Sequence, residues 1–297
     1  MKTVQFGNRT EQPAWFDMAC EFKKKSNTWY GKGFRIGDLA AAYIHLGEWR
    51  RKNPNRKLTI YVNSYLRDCE YSRHLNAPRL FESIADIMHI AGAQRGLYIP
   101  PPIGQRLYWR SLWKDWAGYR AHGLGFKPEF KPLHTHKYAA ESFRNNAGVP
   151  GFYVTCQPLF DALYCKHRNL PIAWWQAVVD GLVEAGLPVV ILGDSKQLIS
   201  YHNSEAFDAR RDHIHAGVSL ALINEAFVHI GGETGTTLWA PILKVPTVAV
   251  YQKGRHPEPD GKDSRPISFG APVEMLPLGC PAQHVVESTM KLIEGKR

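Results

Sequence analysis

The segment Gly231-Gly232-Glu233-Thr234-Gly235-Thr236-Thr237 places glycines, hydroxyl groups and one carboxylate between a strand-like run and a helix-like run. The start of a helix offers unpaired backbone N–H groups and the positive end of the helix dipole, which together suit a diphosphate. The glycines permit close backbone approach, and Thr234 is placed to cap the helix. We expect Thr236 and Thr237 to donate hydroxyl hydrogen bonds, and Glu233 to accept from ribose or sugar hydroxyls.

The same segment also fits an ordinary tight turn between a strand and a helix, with Glu233 capping the helix or solvated. It is not a Walker loop, because no Gly-Lys-Ser/Thr follows it. Nor is it a G-x-G-x-x-G turn of a first strand–helix unit. Composition and placement therefore leave the diphosphate site and the ordinary turn equally open.

Strands and helices alternate on either side of this segment. Such alternation predicts an α/β chain with parallel, doubly wound sheets. The length of 297 residues favours two domains, which we place at 1–148 and 149–297. Residues 100–148 show less regular patterning. The predicted strands are 58–62, 151–156, 187–193, 227–232 and 246–251, and the predicted helices are 39–51, 84–91, 171–186, 219–226, 234–243 and 282–294.

The formal net charge of +10 favours an acidic partner, such as a nucleoside diphosphate, nucleic acid or a phosphorylated glycolipid. The sequence has no apolar run long enough to span a bilayer and no apolar stretch of a signal peptide near its start, so we expect a cytoplasmic location. Its five cysteines include no C-x-x-C pair, which argues against a zinc site.

Residues 106–131 are rich in tryptophan and basic side chains. Trp109, Trp113 and Trp116 recur at helical spacing, which predicts a face packed against the core. Exposed aromatic rings beside cations would instead suit stacking on bases or sugars.

Three segments, in the expected order, resemble the ADP-heptose:lipopolysaccharide heptosyltransferases of glycosyltransferase family 9. "FVHIGGETGTTLWAPILKVPTVAVY" resembles their D-[ST]-G-x-x-H-x-A motif, with Glu233 in place of the acid and Leu238 in place of the histidine. "GFRIGDLAAAYIHLGEWRRKNPNRKLTIYV" resembles their opening G-D segment, and "RNLPIAWWQAVVDGLVEAGLPVVILGD" resembles the segment that begins the donor half.

The resemblance implies a GT-B fold, in which two Rossmann-like domains face a central cleft. It also implies transfer of a sugar from a nucleoside-diphosphate sugar to an acceptor hydroxyl, with no bound metal or other cofactor. Asp38 matches the acidic residue of the G-D motif and is the candidate base; as a residue alone, it also suits a helix N-cap.

Lys166 and Arg168 lie near the family's phosphate-binding lysine and are candidate donor ligands, although a solvated basic loop explains them nearly as well. The predicted donor site also includes the strand-ending turn at Gly193 and Asp194. Its full membership is Lys166, Arg168, Gly193, Asp194, Gly232, Glu233, Thr234, Gly235, Thr236 and Thr237.

The changes at Glu233 and Leu238 argue against assuming ADP-heptose as the donor. The acceptor is open between an acidic glycolipid or polysaccharide and DNA carrying hydroxymethylated bases, as in some phages. Two other classes also remain: a non-catalytic nucleic-acid-binding protein on a GT-B scaffold, and another sugar-nucleotide enzyme such as an epimerase.

Overall fold

The computed structural model describes residues 4–6, 21–23, 28–31, 36–55, 59–63, 84, 87–91, 116, 118–120, 122–158, 170–193, 205–212, 214, 216–251 and 265–295. The chain forms two compact units, and the first gives way to the second between Pro128 and Glu129. This division comes earlier than the domain boundary at 148/149 expected from the sequence. No helix in the described ranges is long and apolar enough to cross a membrane.

The first unit contains a five-stranded sheet in the order β1-β5-β4-β3-β2. The edge strand β2 runs antiparallel to β3, and the other neighbours pair in parallel. Helix α1 lies between the parallel neighbours β3 and β4 in the chain, so it forms the crossover that such a pair requires. The elements are β1 (Val4–Phe6), β2 (Glu21–Lys23), β3 (Thr28–Gly31), α1 (Ile36–Lys52), β4 (Thr59–Asn63) and β5 (Ile87–Ala91). The predicted helix over 84–91 is wrong, because residues 87–91 form strand β5 between β1 and β4. A short apolar run fits a buried strand as well as a helix.

Helix α1 is buried along most of its length and meets an aromatic loop at its end. Leu39, Ile44 and Leu46 are completely or almost completely buried. At Gly47 a side chain would overlap the ring of Phe126, so the glycine allows this ring to lie directly on the helix. Phe126 also packs edge-on against Tyr43, with ring centroids 5.5 Å apart.

One buried carboxylate ties the end of α1 to the Phe126 loop. Glu48 accepts hydrogen bonds from Arg51 Nη2 at 2.7 Å and from the backbone N–H of Phe126 at 2.8 Å, and Lys52 lies 3.3 Å away. These bonds, led by the one from Arg51, outweigh the effect of burial and lower the pKa of Glu48 to about 2.

The second unit contains a six-stranded sheet in which every pairing is parallel, in the order β11-β10-β9-β6-β7-β8. Counted along the chain from β6, this is the order of a dinucleotide-binding Rossmann sheet. Its strands are β6 (Val154–Gln157), β7 (Val189–Ile191), β8 (Phe207–Asp208), β9 (His229–Gly231), β10 (Thr247–Tyr251) and β11 (Val273–Pro277). Its helices are α2 (His134–Ala147), α3 (Ile172–Glu184), α4 (Ala216–Glu225), α5 (Gly235–Ile242) and α6 (Ala282–Glu294).

The central strands of this sheet are apolar because helices cover them. Every residue of β10 is buried, as expected for a parallel strand enclosed on both faces. Helix α3 contributes Trp175, Val178 and Leu182 to the same core, and α6 contributes Val285. The predicted strands 151–156, 227–232 and 246–251 all correspond to strands of this sheet.

Residues 100–148, expected to be less regular, include helix α2. Leu133 makes no side-chain capping bond to this helix, whose sequence is largely polar, and only Ala140 and Phe143 are buried on it. The helix therefore lacks both an N-terminal signal and a broad apolar stripe. Its C-cap is Gly148, which has φ 73° in the left-handed region that favours glycine.

Of the three tryptophans at helical spacing, Trp116 is helical and almost completely buried, which agrees with the core-packing interpretation. Trp109 and Trp113 lie outside the described residues.

We expect Glu48 to make the stability of the chain depend on pH in the acid range. Because the pKa of Glu48 in the fold, about 2, lies below its ordinary value of 4.5, its contribution is complete above pH 4.5. That contribution is lost as the pH falls from 4.5 towards about 2. The Glu48→Gln variant should therefore show a flatter decline of the thermal midpoint over this interval.

The control is Glu294→Gln, which changes the net charge equally at an exposed position near the end of α6. It should retain the wild-type slope. Parallel pH curves for wild type and Glu48→Gln would contradict the role assigned to Glu48.

Candidate functional site

The candidate site lies at the carboxyl ends of β6 and β9 in the second unit. These strands are neighbours, with Gln157 paired in register with Gly231. The order of the sheet reverses between them: β6, β7 and β8 follow one another towards one edge of the sheet, and β9, β10 and β11 towards the other. Doubly wound sheets bind ligands outside the carboxyl ends of the strands at this reversal.

Four side chains link the two strand ends through a hydrogen-bonded network. Thr236 Oγ1 donates to Gln157 Oε1 at 2.7 Å, and Thr237 Oγ1 donates to the carbonyl of Gly232 at 2.8 Å. Thr234 Oγ1 lies 2.9 Å from Thr236 Oγ1 and 3.0 Å from Thr237 Oγ1. All three threonines are buried. The start of α5 is therefore joined directly to the end of β6.

Thr234 occupies the N-cap position of α5 but does not cap it with its side chain. The sequence-based expectation of a threonine cap is wrong because this hydroxyl is bonded to the hydroxyls of Thr236 and Thr237. The backbone N–H of Thr234 donates to the carbonyl of Gly232 at 2.7 Å. The N–H groups in the first turn of α5 have no acceptor within the helix, and the Thr234 side chain does not accept a hydrogen bond from them.

Two buried ring nitrogens without a partner among the described residues lie beside this turn. His229 is fully buried; its Nδ1 is 3.0 Å from Thr155 Oγ1, while its Nε2 has no partner and lies 3.2 Å from where a Cβ of Gly231 would be. Trp175 Nε1 is likewise unpartnered, and the ring atom Cζ2, two bonds away, is 3.6 Å from where a Cβ of Gly232 would be.

An unmatched buried polar atom is costly in a folded protein, so these two nitrogens mark the turn as a place that can hold polar ligand atoms. Burial lowers the pKa of His229 to about 3, and the imidazole is therefore neutral at physiological pH. Within the described ranges, no group of three or more His, Cys, Asp or Glu side chains is arranged to hold a metal ion.

The two glycines of the turn differ in what they exclude. A methyl group at Gly231 would overlap Thr237 Oγ1, whereas one at Gly232 would make ordinary van der Waals contact with Trp175. Only Gly231 is therefore required by the close approach of α5 to β9. The buried Glu233 follows directly in the same turn.

The structure brings together Gly232, Glu233, Thr234, Gly235, Thr236 and Thr237 from the predicted donor site. Gly193 follows β7 and has φ 148°. Lys166, Arg168 and Asp194 lie outside the described residues, so their assignment stays a prediction.

Asp38 belongs to the first unit, within the first turn of α1. Because this helix begins at Ile36, Asp38 does not occupy the N-cap position that the sequence also suggested. Its side chain lies outside the described residues, and its role as a base remains a prediction.

Sequence reasoning missed Gln157, His229 and Trp175. A polar residue directly after an apolar strand was the available signal for Gln157, and a histidine within the strand that precedes the glycine turn was the signal for His229. Neither signal reveals that β6 and β9 are neighbours.

We expect Gly231→Ala to disturb the turn and Gly232→Ala to leave it nearly unchanged. The methyl group at position 231 must displace Thr237, and overpacking of this kind costs about 1–3 kcal/mol. Thermal or denaturant unfolding of the two variants measures the difference, with Gly232→Ala as the matched control. Equal losses of stability would contradict the described packing.

The fold is similar to that of solved structures. The crystal structure of a family 9 glycosyl transferase from Veillonella parvula matches with a TM-score of 0.59 at 12% sequence identity, covering 88% of this chain and 95% of that one. An ADP-heptose heptosyltransferase II of E. coli matches with a TM-score of 0.49 at 12% identity over 88% and 96% of the two chains. The E. coli heptosyltransferase WaaC with ADP matches with a TM-score of 0.46 at 12% identity over 87% and 97%.

No protein-family model and no curated protein sequence matches the chain. At 12% identity, the likeness to the Veillonella structure is one of fold. The predicted α/β architecture is confirmed, and the chain has the GT-B fold of the family 9 glycosyltransferases.

Proposed function

We propose that this protein is a glycosyltransferase that binds a nucleoside-diphosphate sugar at the turn between β9 and α5. The observation that carries the proposal is the start of α5, which no side chain caps, at the point where the order of a Rossmann-type sheet reverses. Two buried ring nitrogens that have no partner among the described residues flank this helix start. Such a position combines backbone donors, the helix dipole and a dry environment.

The diphosphate suits this turn better than an uncharged group does. The first N–H groups of α5 point out of the helix start, and the dipole favours negative charge there. Because Gly232 has no side chain, the backbone of the turn can approach the phosphates closely. Glu233 would accept from ribose or sugar hydroxyls, since a carboxylate repels phosphate.

In the proposed reaction, the acceptor oxygen forms a bond to the anomeric carbon as the bond from that carbon to the diphosphate oxygen breaks. The acceptor hydroxyl loses its proton to a base, for which we propose Asp38 of the first unit. Lys166 and Arg168 would stabilise the departing nucleoside diphosphate, with Gly193 and Asp194 completing the donor side. The proposal includes no metal and no other cofactor.

The net charge of +10 supports an acidic acceptor. An acidic glycolipid or polysaccharide and hydroxymethylated DNA both meet this requirement, and we propose a cytoplasmic location. Binding of DNA through many phosphate contacts would weaken steeply as salt rises.

The first test is thermal unfolding in the presence of ADP, GDP, UDP, CDP and their sugars. A ligand that binds only the folded state at a hundredfold excess over its Kd adds about 2.7 kcal/mol of stability. We expect one nucleoside diphosphate to raise the midpoint. No shift with any of them would contradict a glycosyltransferase and favour the non-catalytic nucleic-acid-binding alternative.

The second test separates binding from catalysis. We expect Asp38→Asn to bind the nucleoside diphosphate as wild type does and to lose sugar transfer by on the order of a hundredfold or more, as removal of a general base does. Glu294→Gln is the control for a lost negative charge. Unchanged transfer in Asp38→Asn would remove Asp38 from the mechanism, and conversion of the donor sugar without an acceptor would favour an epimerase.

A further inference from the structure

We propose that the side-chain amide of Gln157 holds the diphosphate through its N–H groups, and that Thr236 is the positioning residue that turns this amide towards the ligand. This inference rests on the proposed function, because it assumes a diphosphate at the start of α5. It assigns a binding role to a residue at the end of β6, the strand next to β9, whereas residues 232–237 follow β9.

In the structure the amide of Gln157 presents its oxygen to the Thr236 hydroxyl, and the protons of the threonine network are consistent with this orientation. Each hydroxyl has one proton: that of Thr236 goes to Gln157 Oε1, and that of Thr237 goes to the Gly232 carbonyl. The proton of Thr234 goes to one of the other two threonine hydroxyls. All three protons are therefore used within the protein.

This result revises the expectation that Thr236 and Thr237 donate directly to a ligand. Their hydroxyls instead organise the groups around them. Because Oε1 of Gln157 accepts from Thr236, the opposite end of the same amide is Nε2, which has two N–H bonds and no partner in the described part of the chain. The side chain is only half-buried, so these donors can reach a ligand.

The groups presented at this strand reversal are thus mainly donors. The two N–H bonds of Gln157 belong to the amide whose oxygen is hydrogen-bonded to Thr236, a residue of the first turn of α5, where the unpaired backbone N–H groups of the helix also lie. A set of neutral donors on two sides suits a group with several oxygens. Glu233, the carboxylate in the same turn, would face hydroxyl groups of the ligand.

The test compares isosteric variants by titration calorimetry with the nucleoside diphosphate of the panel that gives the largest thermal shift. Gln157→Glu keeps an oxygen for Thr236 but replaces the N–H donors with a second, negatively charged oxygen. We expect the Kd of this variant for the nucleoside diphosphate to rise by on the order of tenfold or more, because it loses a hydrogen bond to a charged group. Affinity for the corresponding nucleoside, which has no phosphate, should remain unchanged.

Variants of Thr236 test whether this residue positions the amide or only stabilises the fold. Thr236→Val removes the proton that orients the amide, and we expect weaker diphosphate binding with nucleoside binding retained. Thr236→Ser keeps the hydroxyl and should bind the diphosphate with wild-type affinity. Thermal midpoints without ligand establish that each variant folds, and the valine–serine pair tests the inference independently if Gln157→Glu does not fold.

The outcomes separate the two proposals. If wild type binds no nucleoside diphosphate, the proposed function fails. If wild type binds one and both Gln157→Glu and Thr236→Val bind it equally well, the donor site stands and the role of Gln157 is overturned. Equal losses for the nucleoside and the diphosphate would likewise overturn it, because the amide would then act on the whole site rather than on the phosphates.

Discussion

The contact between the Thr237 hydroxyl and the end of β9 is the constraint on which the site depends. This hydroxyl donates to the carbonyl of Gly232 and occupies the space that a side chain at position 231 would need. Helix α5 can therefore start closer to the strand than any residue other than glycine would permit. This close start brings Thr236 within reach of Gln157, and with it joins the two strands of the reversal.

The sheet explains why polar groups concentrate at this one edge. Its central strands are apolar and covered by helices, so a buried polar side chain must find a partner or lose the free energy of hydration. Thr155 and His229 meet this requirement through each other, except at the imidazole Nε2. Thr234, Thr236 and Thr237 meet it through one another, Gln157 and the carbonyl of Gly232. Such a concentration of polar groups beside a helix start costs stability that an apolar core would retain, and the proposed polar ligand would account for it.

The sequence predicted the strand–helix alternation and the glycine-threonine turn, because apolar periodicity and turn residues are local properties. It could not predict that Gln157 meets Thr236, since that contact depends on which parallel strands become neighbours. Helix α2 was missed because its polar composition carries little helical pattern. The prediction that Thr234 caps α5 was wrong because two other hydroxyls, those of Thr236 and Thr237, lie close enough to bond its side chain instead.

The central claim is that a diphosphate is held by the backbone N–H groups at the start of α5. Hydrogen–deuterium exchange of peptides covering residues 229–243, measured with and without a bound nucleoside diphosphate, tests it most directly. We predict slower exchange at Gly235, Thr236 and Thr237 with the diphosphate and no such change with the nucleoside alone. Binding of the diphosphate without protection of these amides would contradict the account.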